Sequence, residues 1–194
     1  HTRLQGDWSS DVCSSDLISK PDDAAIIHEV QRLQALYNPS DATIHRPKLY
    51  PSTEDQQAIT EWIQTPFITI SPSSVWPTKQ VPSEVWSALI EQVSLPVFLL
   101  GSPQDAAMCQ ELAGGRAHVR VLAGRLNLLQ SAALMRHARM NFVNDSAPLH
   151  LCSAVNAPVT AVFCSTIPAF GFGPLSDQSH ILEAHPSPPC RPCG

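Results

Sequence analysis

MNFVNDSAPLHLCSAVNAPVTAVFCST, residues 140–166, is the stretch whose reading decides the fold. A short apolar run, Met140–Val143, leads through the polar turn Asn144-Asp145-Ser146 into a helical pattern over Pro148–Val155. A second apolar run, Val159–Phe163, follows. Neither run alternates apolar with polar residues, so each is expected to be buried on both faces. Two such strands joined by a helix form a parallel crossover.

The same unit repeats outward from this stretch. Toward the N-terminus, strands are expected at Phe67–Ile70, Val97–Leu100 and Val119–Leu122. The helices between them are expected at Ser83–Gln92, opened by Pro82, at Gln104–Leu112, stopped by Gly114-Gly115, and at Leu128–Arg136, with Asn127 as N-cap. Toward the C-terminus a last strand is expected over Ser179–Leu182. The fold class is therefore α/β: a parallel sheet with helices on both faces. Upstream, Asp22–Leu36 has helical spacing (Ala25, Ile26, Val30, Leu33, Leu36), and a short helix is expected at about 53–63. Between them residues 38–53, rich in Pro, Asp and Ser, form a connector. Residues 18–65 thus read as the end of one domain and a linker, and residues 66–194 as a second domain.

Composition narrows the function classes. Of 194 residues 43% are hydrophobic and 15% charged, with a net charge of −5. That supports a packed core and leaves no basic footprint for nucleic acid. No apolar run approaches the roughly 20 residues needed to span a bilayer. Six cysteines at scattered spacings form no secreted disulfide framework, so reduced thiols in a cytoplasmic setting are expected. The first residues stand apart. Asp7–Leu17 resembles the conceptual translation of a sequencing adaptor, and residues 1–17 are expected to carry no function. With an adaptor at one end and an abrupt stop at Cys193-Gly194, the chain is expected to be cut at its N-terminal side and truncated at the other.

Ligands of such sheets bind beyond the carboxyl ends of the strands, which directs attention to the loops there. Ser71-Pro72-Ser73-Ser74-Val75-Trp76-Pro77-Thr78-Lys79 sets hydroxyls and one ammonium before a helix, a chemistry suited to phosphate oxygens, although a surface loop with a solvated Lys has the same composition. Asp145 and Ser146 suit a helix N-cap, and Pro148 suits a first turn. His150 on that turn is not required by capping. Cys164-Ser165-Thr166-Ile167-Pro168 reads equally as a small-residue anion loop or a turn. GxGxxG, GxxxxGK[ST] and GxSxG are absent. Cys190-Arg191-Pro192-Cys193 is a single CxxC pair, short of a zinc set, and no metal or cofactor is expected.

In order, PSSVWPTKQVP (72–82), FLLGSPQDA (98–106), VLAGRLNLLQSAALMRHA (121–138), NFVNDSAPLHLCSAVNAPVTAVFCSTIP (141–168) and PLS (174–176) resemble glycosyltransferase family 9. Within the family the chain is similar to the ADP-heptose:lipopolysaccharide heptosyltransferases of the heptosyltransferase II type. The resemblance implies a GT-B architecture of two Rossmann-like domains, of which this chain holds the C-terminal, nucleotide-sugar-binding one. It implies an inverting transfer of heptose from ADP-heptose to the lipopolysaccharide inner core, at the cytosolic face of the inner membrane with at most peripheral membrane contact. The catalytic base is expected in the N-terminal domain, outside this chain.

Carried over by residue, the resemblance assigns Ser73, Ser74, Thr78 and Lys79 to the diphosphate, with Asp145, Ser146, Ala147 and His150 facing it from the helix tip. It assigns Asp105 to the ribose hydroxyls and Leu126 to the adenine. Two departures stand out: Gln80-Val81 replaces the family's Arg/Lys-Trp, and Ala147-Pro148 replaces its Gly after Ser146. The alternatives are a related glycosyltransferase with another nucleotide-sugar donor, and a non-catalytic nucleotide-binding module.

Overall fold

The computed structural model describes residues 27–41, 43–189 and 191–192. The adaptor-like stretch, residues 22–26 of the first expected helix, and both cysteines of the CxxC pair lie outside the described residues.

Six strands form one parallel sheet: β1 (Ile68–Ser71), β2 (Val97–Leu99), β3 (Val119–Val121), β4 (Met140–Asn144), β5 (Val159–Phe163) and β6 (Ser179–Glu183). Their spatial order is β3-β2-β1-β4-β5-β6. The chain winds outward from β1 to β3, then returns to place β4 beside β1 and winds the other way. The reversal between β1 and β4 makes the loops after these two strands part toward opposite faces, which leaves a crevice at their carboxyl ends.

Helices α1 (Glu29–Tyr37), α2 (Thr53–Ala58), α3 (Ser83–Gln92), α4 (Ala106–Ala113), α5 (Leu128–His137) and α6 (Ala147–Val155) complete the chain. Local signals explain most of their ends. Asn127 and Gln130 form a reciprocal capping box, with Asn127 Oδ1 accepting from the Gln130 amide at 2.8 Å and Gln130 Oε1 accepting from the Asn127 amide at 3.0 Å. α4 ends on Gly114 in the left-handed region, φ 54°. One expected helix is divided: over 104–112 the first turn, Pro103–Asp105, is a 3-10 turn and α4 follows it. The Asp105 carboxylate holds both the amide of Ser102 (2.7 Å) and its hydroxyl (2.6 Å), which tightens that turn.

Alternate residues of β2, β4 and β5 feed two cores, and β1 supplies Ile68 and Ile70 to the first. Ile68, Ile70, Val97 and Leu99 pack with Trp86, Ile90, Cys109 and Leu112 of α3 and α4. Phe98, Val143, Val159 and Phe163 pack on the other face with Leu134, Met135, Leu149 and Cys152 of α5 and α6. Ile59 and Trp62, beyond α2, pack in this second core. Asn141, fully buried in β4, accepts from Thr69 Oγ1 of β1 at 2.5 Å and donates to the carbonyls of Met135 (3.0 Å) and Pro158 (2.7 Å). A buried amide with all these partners fixes the β1–β4 register at the switch point.

Burial pushes the thiol of Cys109 up to about 11 and that of Cys152 up to about 12. Both are therefore poor nucleophiles. In the folded chain at pH 8 both should escape iodoacetamide over hours and react within minutes once denatured, as read by mass spectrometry of tryptic peptides.

Candidate functional site

The crevice between β1 and β4 gathers its charged groups from two loops. After β1, the chain runs through Pro72–Trp76 to a 3-10 turn, Pro77–Lys79, which ends on Lys79. After β4 comes the tight turn Asp145-Ser146 and then α6. Lys79 Nζ lies 2.8 Å from Asp145 Oδ2. The Asp145 side chain is only 7% exposed, that of Lys79 26%. The ammonium thus rests on a buried carboxylate with one face open. Of its three N–H donors one is engaged by Asp145, and among the described residues no other hydrogen bond of the ammonium is seen.

Asn144, the last residue of β4, staples the first loop to this turn. It is fully buried, accepts from the Val81 amide at 3.0 Å, and donates to the carbonyls of Pro72 (2.8 Å) and Ser73 (3.2 Å). Gln80 closes the loop on itself by donating to the Ser74 carbonyl at 2.6 Å. Thr166, after β5, donates from Oγ1 to Asp145 Oδ2 at 2.6 Å. Asn144 and Thr166 lie in motifs the sequence singles out, but neither is among the residues assigned to the site. The signal for Asn144 was available, since an Asn ending an apolar strand must satisfy its amide somewhere.

The other expected diphosphate residues fall on the same rim with different exposures. Ser73 and Ser74 are half-buried and Thr78 is exposed. Ser146 occupies the N-cap position of α6 but makes no side-chain cap, its hydroxyl turning back toward the Asn144 carbonyl at 3.5 Å. Within the first turn Pro148 has no amide, and the Leu149 amide bonds to the Ser146 carbonyl at 3.0 Å. Exposed Ala147 is thus the residue of this turn with an amide left to offer. Asn156 is the one non-glycine residue with positive φ among those described, so Ala147 has an ordinary backbone, and no glycine is demanded there. His150 stands edge-on to Phe172, ring centres 6.4 Å apart. Its pKa is held below the ordinary 6.5, first by desolvation, with His28 and Lys79 adding to the effect and Asp145 opposing it.

Asp105 and Leu126 lie on the loops after β2 and β3, farther along the same edge. These loops touch: the Gly124 amide donates to the Gly101 carbonyl at 3.0 Å. Gly124 has φ +75°, and a Cβ there would sit 2.8 Å from Pro103 Cα, so only glycine permits this approach. Asp105 spends its carboxylate on Ser102, and Leu126 is half-buried against the second core. Among the described residues no hydrogen bond or ion pair joins this pair to Lys79 or Asp145. A cavity of about 860 Å³ lies behind the loop, between α3 and α4, lined by Val81, Trp86, Met108 and Arg116; it contains neither Lys79 nor Asp145. The placement of charge, rather than depth, marks the site.

Fold and crevice together define a Rossmann-like α/β domain that carries a fixed ammonium at its switch point. The chain belongs to glycosyltransferase family 9 (heptosyltransferase), whose profile matches residues 7–193. It is 29% identical over 129 residues to lipooligosaccharide heptosyltransferase 2 of Haemophilus influenzae, covering 62% of this chain and 37% of that protein. Among solved structures it resembles E. coli ADP-heptose lps heptosyltransferase II, with TM-score 0.61, 25% identity, and coverage of 72% of this chain and 46% of that one. An E. coli heptosyltransferase solved with ADP has TM-score 0.64 and 22% identity, over 83% of this chain and 52% of that one. The chain thus spans from about a third to about half of the length of these relatives.

Two outcomes follow from the geometry. Asn144→Ala strands the Val81 amide and two loop carbonyls; it should cost about 2 kcal/mol and lower Tm by roughly 4–8 °C in calorimetry. His150 takes up its proton less readily folded than unfolded, so its contribution to stability is whole above pH 6.5 and declines as the pH falls below that value. Denaturant midpoints between pH 7.5 and 5 should decline, and decline less in His150→Asn.

Proposed function

We propose that this chain is the nucleotide-sugar-binding part of a heptosyltransferase that moves heptose from ADP-heptose to the lipopolysaccharide inner core, working in the cytoplasm at the inner membrane. The observation that carries the reading is the Lys79–Asp145 pair at the switch point, beside the tip of α6. Among the described residues no helix is long and apolar enough to cross a membrane. Residues 53–63 are read as part of this domain, and the acceptor side and the catalytic base as belonging to the part of the relatives' length that this chain does not span.

On this reading an acceptor hydroxyl attacks the anomeric carbon, the bond from that carbon to the diphosphate oxygen breaks, and the hydroxyl proton passes to the base. Attack from the face opposite the diphosphate inverts the anomeric centre. Negative charge grows on the departing ADP as the sugar becomes oxocarbenium-like. Lys79 supplies a fixed cation to that charge, and the α6 tip supplies an amide and the positive end of a helix dipole. Donors set in place before the reaction are worth roughly 3–4 kcal/mol each. Ser73, Ser74 and Thr78 offer hydroxyls along the same rim, and Ser146 and His150 close it from α6. Asp105 and Leu126 take ribose and adenine on the neighbouring loops.

Calorimetric titration tests this. The chain should bind ADP with higher affinity than UDP or GDP, and Lys79→Ala should weaken ADP by at least about tenfold. Equal affinity for the three nucleotides, or an unchanged affinity in Lys79→Ala, overturns the reading.

A further inference from the structure

We propose that Thr166 is a positioning residue for the diphosphate site: its hydroxyl aims the Asp145 carboxylate and thereby sets where the Lys79 ammonium stands. The inference rests on the nucleotide reading above and extends it to a loop to which that reading assigns no role.

Three loops meet at one oxygen. Asp145 Oδ2 receives Lys79 Nζ at 2.8 Å and Thr166 Oγ1 at 2.6 Å. The loops follow β1, β4 and β5, which lie side by side in the sheet. Asp145 and Thr166 are each 5% exposed. A buried carboxylate needs its lone pairs filled, and a threonine hydroxyl in a loop has backbone carbonyls within easy reach; here it turns to the charged group instead. Residue 166 is itself clamped. Its carbonyl accepts from Arg191 Nε at 3.1 Å and from a terminal nitrogen of the same guanidinium at 2.7 Å. That guanidinium is only 4% exposed and pairs with Glu183 at the end of β6. A relay therefore runs from the last strand through Arg191 to the main chain of Thr166, then from its hydroxyl to Asp145 and on to Lys79.

Without the hydroxyl, Oδ2 keeps only the ammonium as partner among the described residues, and the carboxylate gains freedom to rotate. Both changes draw Lys79 inward and away from a ligand's phosphates. The loss then falls on the diphosphate and spares the nucleoside.

The test uses the 194-residue chain, with ADP and adenosine titrated by NMR against the unmodified protein, Thr166→Val, Thr166→Ser and Lys79→Ala. Thr166→Val should weaken ADP about tenfold, the size expected for one hydrogen bond to a charged group. It should leave adenosine within about twofold, and Thr166→Ser should restore most of the ADP affinity. Unchanged ADP affinity in Thr166→Val with the expected loss in Lys79→Ala overturns the role of Thr166 and leaves the nucleotide reading standing. Equal losses for ADP and adenosine, or a serine variant as weak as the valine one, also overturn it. No ADP binding by the unmodified chain, or none lost in Lys79→Ala, removes the nucleotide reading and the inference with it.

Discussion

The crevice is organised around one buried carboxylate. Asp145 lies where the sheet reverses direction, and loops that would otherwise part toward opposite faces are drawn together through it. Taking that charge out of water is costly unless its oxygens are filled. Lys79 and Thr166 fill one of them. Asn144, next to it in sequence, performs the neutral half of the same task by binding the main chain of the 72–81 loop. Because Asn144 is held by strand pairing to Val162 of β5, and its neighbour Val143 to Ser71 of β1, the loop that carries Lys79 inherits the rigidity of the sheet.

The limits of sequence reading follow from the distances along the chain. Strands were legible because each is a short apolar run bracketed by Pro, Gly or polar turns. Ser83–Gln92 and Val159–Phe163 have in the structure the ends that their sequence signals imply. Periodicity gives no strand order, however, and the contacts that make the site depend on it. Val81 with Asn144, Thr69 with Asn141 and Thr166 with Asp145 are separated by 63, 72 and 21 residues. Lys79 and Asp145 were each legible as candidates, but their pairing was not. The second core's neighbour α2 shows a related limit. Its hexamer, Thr53–Ala58, has almost no apolar face, and the buried Ile59 and Trp62 follow it rather than lie within it. A polar segment after a proline-rich connector therefore reads as linker.

The two departures from the family pattern have local explanations. Gln80 braces the loop through the Ser74 carbonyl, and Val81 is buried while its amide meets Asn144. The loop is thus held from within by groups that need neither a second cation nor an indole. At the helix tip, ordinary backbone angles at residue 147 make alanine as acceptable as glycine, at the cost of a methyl group on the exposed rim. The outer part of the same loop is unusually apolar for an exposed position, with Val75 90% and Trp76 45% accessible. Side chains of that kind beside a charged crevice suit a surface that another part of the protein or a ligand covers.

The helix tip is also narrower than its sequence suggests, and this shifts weight to the cation. Pro148 contributes no amide and Leu149 spends its own inside the turn, so of the first three residues of α6 only Ala147 has an amide left to offer. On the proposed reading, an approaching diphosphate depends mainly on Lys79, whose charge is partly balanced by Asp145. Such balance weakens long-range attraction, because the pair is nearly neutral from afar. At contact the balance matters less than position: the carboxylate is buried, while the ammonium keeps partial exposure. A lysine free in solvent would lose the entropy of its four-carbon stem on binding each ligand. Here the ion pair has already restricted that stem, and the ligand meets a donor that is in place. The arrangement gives up capture range for geometry, a sound exchange where charge appears on a leaving group only as a bond breaks.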